Sequence, residues 1–89
     1  MEKVEIYIGK IKLNEEVFMR MKLQLSNYDF YEIDGSFVWY SKDAYSRLQL
    51  YRDGRFEVRK GLSLIELTNK RVDIGLVGYQ ELIDLIKEI

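Results

Sequence analysis

Residues 45–59 read YSRLQLYRDGRFEVR, and this stretch decides the fold of the chain. Apolar and polar side chains alternate on both sides of a central Arg-Asp-Gly, which is the pattern of two β-strands that each bury one face. A two-residue loop at 53–54 would mix apolar and polar side chains on each face of the pair. A three-residue loop at 52–54 brings the apolar side chains together, as the register of a half-buried hairpin requires.

The three-residue loop leads to two predictions about the hairpin. Gly54 should adopt a left-handed backbone conformation, because a type I turn closed by a left-handed residue is common at this loop length and glycine has no Cβ to clash. Leu50 should lie opposite Phe56, and Leu48 opposite Val58. These four apolar side chains are then predicted to face the core.

The opposite face of the hairpin is the candidate partner-binding surface. Its members are tyrosine, arginine and glutamine side chains: Tyr45, Arg47, Gln49, Tyr51, Arg55 and Arg59. Tyrosine and arginine are frequent anchors of protein interfaces, and aromatic rings beside cations hold single-stranded nucleic acids on several kinds of sheet. The same residue types also pack well across solvated strands, where Glu57 would pair with a neighbouring arginine. A binding face and a plain solvated surface therefore stand as alternatives.

Other runs of alternating residues predict further strands. They cover residues 4–8 and 11–13 on either side of Gly9, 28–33 and 36–40 on either side of an Asp-Gly pair, 62–67, and 71–77. An Asp-Gly pair between aromatic runs is a strong hairpin signal, because its glycine accepts a positive φ. Trp39 is expected to fill the core, since one large ring adds much buried area to a small domain.

Residues 14–25 support two interpretations. Asn14 is a good helix N-cap, and strong helix formers follow it. Yet five apolar residues fall at every second position: Val17, Met19, Met21, Leu23 and Leu25. A helix would leave Met19 and Leu23 away from the apolar face. The alternation favours a strand, and a helix is the alternative.

The C-terminal residues predict an amphipathic helix. From residue 79 to residue 89, apolar side chains recur at helical spacing opposite polar ones. A helix this short needs a surface to pack on, either its own sheet or a second copy of the chain in a two-fold homodimer. The predicted fold is one β-rich α+β domain over residues 1–89. It is an antiparallel meander of six or seven strands, open or barrel-like, with a C-terminal α-helix.

The composition argues against several kinds of chemistry. The 89 residues include no cysteine and no histidine, which removes disulfides, thiolate metal ligands and the usual general base. The acidic residues Asp29, Glu32 and Asp34 lack the spacing of a calcium-binding loop. We therefore expect no enzymatic activity, no metal and no cofactor.

Charge and hydropathy suggest where the chain resides. The formal net charge is −1, unlike that of strongly basic nucleic-acid-binding domains. No apolar run is long enough for a transmembrane helix, and the charged first residues do not resemble a signal peptide. A cytoplasmic location without membrane association is expected.

These observations favour a small non-catalytic binding module that recognises another protein. Our hypothesis is an inhibitor or adaptor encoded by a virus, a phage or a mobile element, which is motivated by the small size of the chain. The alternative partner is RNA or single-stranded DNA, held on the same Tyr/Arg face.

Overall fold

The computed structural model describes residues 4–61 and 69–87, which form eight helices and strands. The predicted strand at 62–67 lies outside these described residues. In chain order the elements are β1 (Val4–Ile11), α1 (Glu15–Gln24), β2 (Asp29–Ile33), β3 (Ser36–Tyr40), β4 (Ser46–Tyr51), β5 (Arg55–Lys60), β6 (Asn69–Val77) and α2 (Tyr79–Lys87).

The described strands form one six-stranded sheet in the order β2-β3-β4-β5-β1-β6. Neighbouring strands are antiparallel except for β1 and β6, which run parallel. The strands β2 to β5 form the predicted meander, but β1 lies between β5 and β6 instead of at an edge. The sheet stays open, with β2 and β6 as its edges, and does not close into a barrel. The fold is therefore the expected β-rich α+β class, with one parallel pair.

The β4–β5 hairpin has the predicted register. Leu48 pairs with Val58, and Leu50 pairs with Phe56. All four side chains are at most 2% exposed. The N–H of Gly54 donates to the carbonyl of Tyr51 at 3.0 Å, which closes the three-residue loop. Gly54 has a φ of 96°, so the prediction of a left-handed glycine is confirmed.

The tip of this hairpin is fixed against the end of β1. The N–H of Ile11 donates to the carbonyl of Gly54 at 2.9 Å. A Cβ atom at Gly54 would collide with the carbonyl oxygen of Ile11. Two features of position 54 therefore require glycine: its positive φ, and the close approach of the β1 backbone.

Both helices pack on the same face of the sheet and enclose the core. The buried core residues are Ile11, Met21, Leu25, Phe37, Trp39, Leu48, Leu50, Phe56, Val58, Leu82, Ile83 and Ile86. Trp39 is 1% exposed, which confirms its core position. Three of these residues belong to α2, so the C-terminal helix docks on its own sheet. In the described part of the chain, neither helix has the length and apolar character needed to span a bilayer.

Residues 15–24 form a helix, so the preference for a strand in this region is wrong. The side-chain oxygen of Asn14 accepts a hydrogen bond from the N–H of Val17 at 2.8 Å, as an N-cap does. Met21 is fully buried, whereas Leu23 is 75% exposed. Helix propensity and the cap outweigh the alternation, because an isolated exposed leucine costs little.

Met21 and Leu23 distinguish the helix from the strand. We expect Met21→Ala to lower the free energy of unfolding by about 2–5 kcal/mol, because it empties a buried site. Leu23→Ala should change it by less than ~0.5 kcal/mol, as exposed substitutions usually do. Urea unfolding of both variants measures this difference. Equal losses would contradict the helix, because a strand places both residues on one face.

Gly54 and Gly35 form a matched pair for the hairpin tip. Both have a positive φ, but a Cβ at Gly35 meets no atom within 4 Å. Gly35→Ala should therefore cost only the left-handed strain, about 1–2 kcal/mol. Gly54→Ala should cost a further ~1–3 kcal/mol, because its Cβ also presses on the backbone at Ile11. Urea midpoints of the two variants test this order, and a Gly54→Ala protein as stable as Gly35→Ala contradicts it.

Candidate functional site

One face of the sheet has no described helix packed against it, and we call it the open face. By register and alternation it carries Tyr31 of β2, Tyr40 of β3, Arg47, Gln49 and Tyr51 of β4, Arg55, Glu57 and Arg59 of β5, Lys10 of β1, and Arg71 and Asp73 of β6. Five of the six predicted binding residues thus share this face. They remain exposed or half-buried, while the apolar residues that alternate with them, Leu48, Leu50, Phe56 and Val58, fill the core.

Tyr45, the sixth predicted residue, immediately precedes β4 and is half-buried. Its carbonyl accepts from the N–H of Gly61 at 2.9 Å, which extends the β4–β5 pairing by one step. Tyr51 follows Tyr45 by six positions, which corresponds to roughly 20 Å along a strand. The predicted residues therefore form a long stripe and not one compact cluster.

Arg47 lies along the sheet and is held by its neighbours. Its Nη2 donates to the side-chain oxygen of Gln49 at 2.6 Å, and its Cζ lies 6.0 Å from the ring centroid of Tyr40. Gln49 in turn donates to Oγ of Ser36 at 3.2 Å. The Nε of Arg47 is buried and has no hydrogen-bond partner among the described residues. This chain of contacts extends from β4 onto β3 and fixes the guanidinium at the centre of the open face.

Arg55 is placed over Tyr51 by the aspartate of the turn. Its Nε donates to Asp53 Oδ2 at 2.7 Å, and its Cζ lies 5.1 Å from the centroid of the Tyr51 ring. The backbone N–H of Arg55 also donates to Asp53 Oδ1 at 3.1 Å. These bonds keep the pKa of Asp53 below its ordinary value, and the bond from the backbone N–H of Arg55 has the largest effect. The turn that sets the hairpin register therefore also orients one tyrosine–arginine pair.

Glu57 connects the hairpin to the far edge of the sheet. It lies opposite Gln49 on β4, and its carboxylate is 3.6 Å from Nη1 of Arg71 on β6. The ion pair therefore reaches across β1, which runs between β5 and β6. The side chain of Glu57 is less exposed than that of Arg71. Arg71 lies on the edge strand β6, so this ion pair is at the margin of the open face.

Next to this ion pair the open face has a groove of about 430 Å³. Its charged lining residues are Lys10, Arg55, Glu57, Arg71 and Asp73, with Tyr51 and Leu76 adding aromatic and apolar surface. The pairing of β1 with β6 shifts register beside Gly9, at the bottom of this groove. A Cβ there would lie 2.6 Å from the carbonyl oxygen of Gly75, so the two backbones pack too closely for a side chain.

Sequence reasoning missed the half of the site that β1, β2 and β6 provide. Lys10, Arg71 and Asp73 join the hairpin only because β1 and β6 pair beside β5, and no local pattern indicates that pairing. Tyr31 and Tyr40 were also missed as site residues. Their ring centroids lie 6.0 Å apart in an edge-to-face contact, and Tyr31 is 52% exposed. The sequence signal that could have indicated them is alternation, because Tyr31 and Tyr40 directly follow Phe30 and Trp39, whose side chains lie on the opposite face.

The chemistry of the site is that of contact and charge. Among residues 4–61 and 69–87, no three histidine, cysteine, aspartate or glutamate side chains converge to hold a metal ion. Burial raises the pKa of Tyr28 and of Tyr79, but both tyrosines pack against the core and not on the open face.

No family model, no curated protein and no solved structure matches this chain.

The loop before β4 generates a prediction about pH. Ser41 Oγ and the N–H of Tyr45 donate to Asp43 Oδ1 at 2.7 and 3.0 Å, and these bonds lower the pKa of Asp43 below its ordinary value of 3.8. The ionised form thus stabilises the fold above this value, and the contribution is lost as the pH falls through the lower folded pKa. Asp43→Asn keeps an oxygen acceptor but does not titrate.

We expect the free energy of unfolding, measured with urea, to fall between pH 4 and pH 2. The fall should be larger for the wild type than for Asp43→Asn. A titration of the Asp43 carboxyl followed by NMR provides the direct measurement. A midpoint at or above 3.8 would show that the two hydrogen bonds do not favour the ionised carboxylate.

Proposed function

We propose that the chain is a non-catalytic module that binds another protein through the open face of its sheet. The observation that carries the proposal is the set of side-chain contacts that the arginines make there. Arg47, Arg55 and Arg71 each contact a neighbouring side chain of the same face, while part of each remains exposed. Tyrosine and arginine with fixed side chains are the typical anchors of protein interfaces.

The order of these side chains matters for affinity. Immobilising one flexible side chain on binding costs about 0.5–1.5 kcal/mol. Contacts with Gln49, Asp53 and Glu57 already restrict the arginines in the free chain, so less of this cost falls on the complex. The open face is thus prepared to bind a surface without large rearrangement of its own side chains.

The groove indicates the chemistry of the partner segment. It presents three cations, Lys10, Arg55 and Arg71, against two carboxylates, Glu57 and Asp73. Tyr51 and Leu76 supply an aromatic wall and an apolar rim. A protein segment with an acidic residue between apolar ones complements both features, because opposite potentials favour the correct partner and repel others.

Several observations support a role without catalysis. The sequence contains neither histidine nor cysteine, and the described carboxylates do not converge. Binding without chemistry is what an inhibitor or an adaptor requires. We place this activity in the cytoplasm, because a chain without cysteine needs no oxidising compartment.

Single-stranded nucleic acid is the second candidate partner. The exposed ring of Tyr31 beside Tyr40 favours it, since bases stack on such rings. However, a strand of nucleic acid presents a row of phosphates that needs several cations free to engage them, whereas an acidic residue of a protein segment needs only one. The guanidiniums of Arg55 and Arg71 already lie beside carboxylates of their own chain. The net charge of −1 also gives little attraction for a polyanion. For these two reasons we favour a protein partner over nucleic acid.

Two matched charge reversals test the proposal. Arg55→Glu changes the edge of the groove, whereas Lys87→Glu makes the same charge change on α2, on the helix side. Each purified variant and the wild type capture partners from lysates of the source organism with and without nuclease treatment, with mass spectrometry as the readout. We expect the wild type and Lys87→Glu to retain the same protein. Arg55→Glu should retain at least about tenfold less, equivalent to ~1.4 kcal/mol.

The outcomes separate the candidates. A captured protein that both variants retain equally would place its binding outside the groove. Capture that disappears after nuclease treatment, together with oligonucleotide affinity that falls steeply with salt, would favour the nucleic-acid alternative.

A further inference from the structure

The edge strand β2 leaves part of its backbone unpaired. Ile33 and Ser36 flank the two-residue turn between β2 and β3, so they form a hydrogen-bonded pair. Such pairs alternate with pairs that lack these bonds in an antiparallel ladder. The N–H and C=O groups of Phe30 and Glu32 therefore point away from β3, to the outer side of the edge. No described strand lies there.

The side chains of β2 are also more exposed than those of a shielded edge strand. Phe30, Tyr31 and Ile33 are 37%, 52% and 47% exposed, with Phe30 on the helix side and the other two on the open face. β2 contains no proline and pairs with β3 without a bulge. An edge with unpaired backbone groups and exposed apolar side chains is a template for another strand.

We propose that β2 pairs in antiparallel fashion with β2 of a second copy of the chain, about a two-fold axis at Tyr31. This axis lies at the middle of the strand, so all five residues overlap. Phe30 of each copy then lies opposite Glu32 of the other. The four outward backbone groups of each strand find partners, and the sheet continues from one copy into the next.

Charge complementarity selects this occupant and this register. The Nζ of Lys22 lies 5.1 Å from the centroid of the Phe30 ring. Pairing about Tyr31 therefore brings Glu32 of one copy next to Lys22 of the other, twice by symmetry. An axis at Glu32 would set two glutamates directly opposite each other, which is unfavourable. An axis at Phe30 would leave Ile33 opposite no residue of β2.

A two-fold contact of this kind closes on itself. It uses the same patch of both copies, so it ends at the dimer and does not build a filament. The contact is independent of the groove, because Lys10, Arg55 and Arg71 lie on the three strands nearest the opposite edge of the sheet.

A proline at Glu32 tests the pairing. The N–H of Glu32 faces outward, so Glu32→Pro keeps the hydrogen bonds to β3 while it blocks a strand outside. Glu32→Ala is the matched control, because it removes the same side chain but keeps the N–H. Light scattering up to about 1 mM covers the weak affinity that a small interface has.

We expect the wild type to reach twice the 10.7 kDa of one chain. Glu32→Pro should raise the dissociation constant at least tenfold more than Glu32→Ala does. A wild type that stays monomeric at the highest concentration overturns the proposal. So does a mass that keeps growing past two copies, or a folded Glu32→Pro protein that dimerises as the wild type does.

Amide hydrogen exchange of the wild type gives a second test that needs no variant. The N–H groups of Phe30 and Glu32 should gain protection as the concentration rises, by mass action. The N–H of Tyr31 is bonded to β3 in both states and serves as the internal reference. If Phe30 and Glu32 exchange at the same rate in dilute and concentrated samples, the β2 edge does not form the dimer.

Discussion

The register of the β4–β5 hairpin is the constraint on which the rest of the structure depends. Side chains alternate strictly along a strand, so a shift of one residue would send Leu48 and Leu50 to solvent and bury Arg47 and Gln49. The three-residue loop with Gly54 at its end prevents that shift. The same loop meets the end of β1, so one local feature fixes the core, the open face and the position of the neighbouring strand.

The hairpin could be predicted because its information is local. Its turn residues, its alternation and its register all lie within fifteen residues of sequence. Helix α1 was harder, because the exposed residues Met19 and Leu23 extend the buried pattern of Met21 and Leu25 into a false period of two. The decisive information was the cap at Asn14 together with helix propensity, and single exposed apolar residues are ordinary on protein surfaces.

The site was only half predictable for a different reason. Residues of β4 and β5 share a face because they are neighbours in sequence, whereas Lys10 and Arg71 reach the same face through contacts between distant segments. The parallel pairing of β1 with β6 has no signature in either strand alone. Nor does alternation show that Arg55 bonds to Asp53, or that Glu57 pairs with Arg71 across β1. Those contacts decide how free the charges are, and hence which class of partner the face suits.

The open face and the β2 edge meet at Tyr31. In a dimer formed about that residue, the two sheets become continuous and both open faces point to the same side, because opposed residues of an antiparallel pair share a face. The edge-to-face pair of Tyr31 and Tyr40 would then occur twice around the axis, between two grooves. A partner that is itself two-fold symmetric, or that repeats its acidic segment, would engage both grooves at once. The second contact would form at a high effective concentration, so a weak affinity in each groove would give a high overall affinity for the dimer.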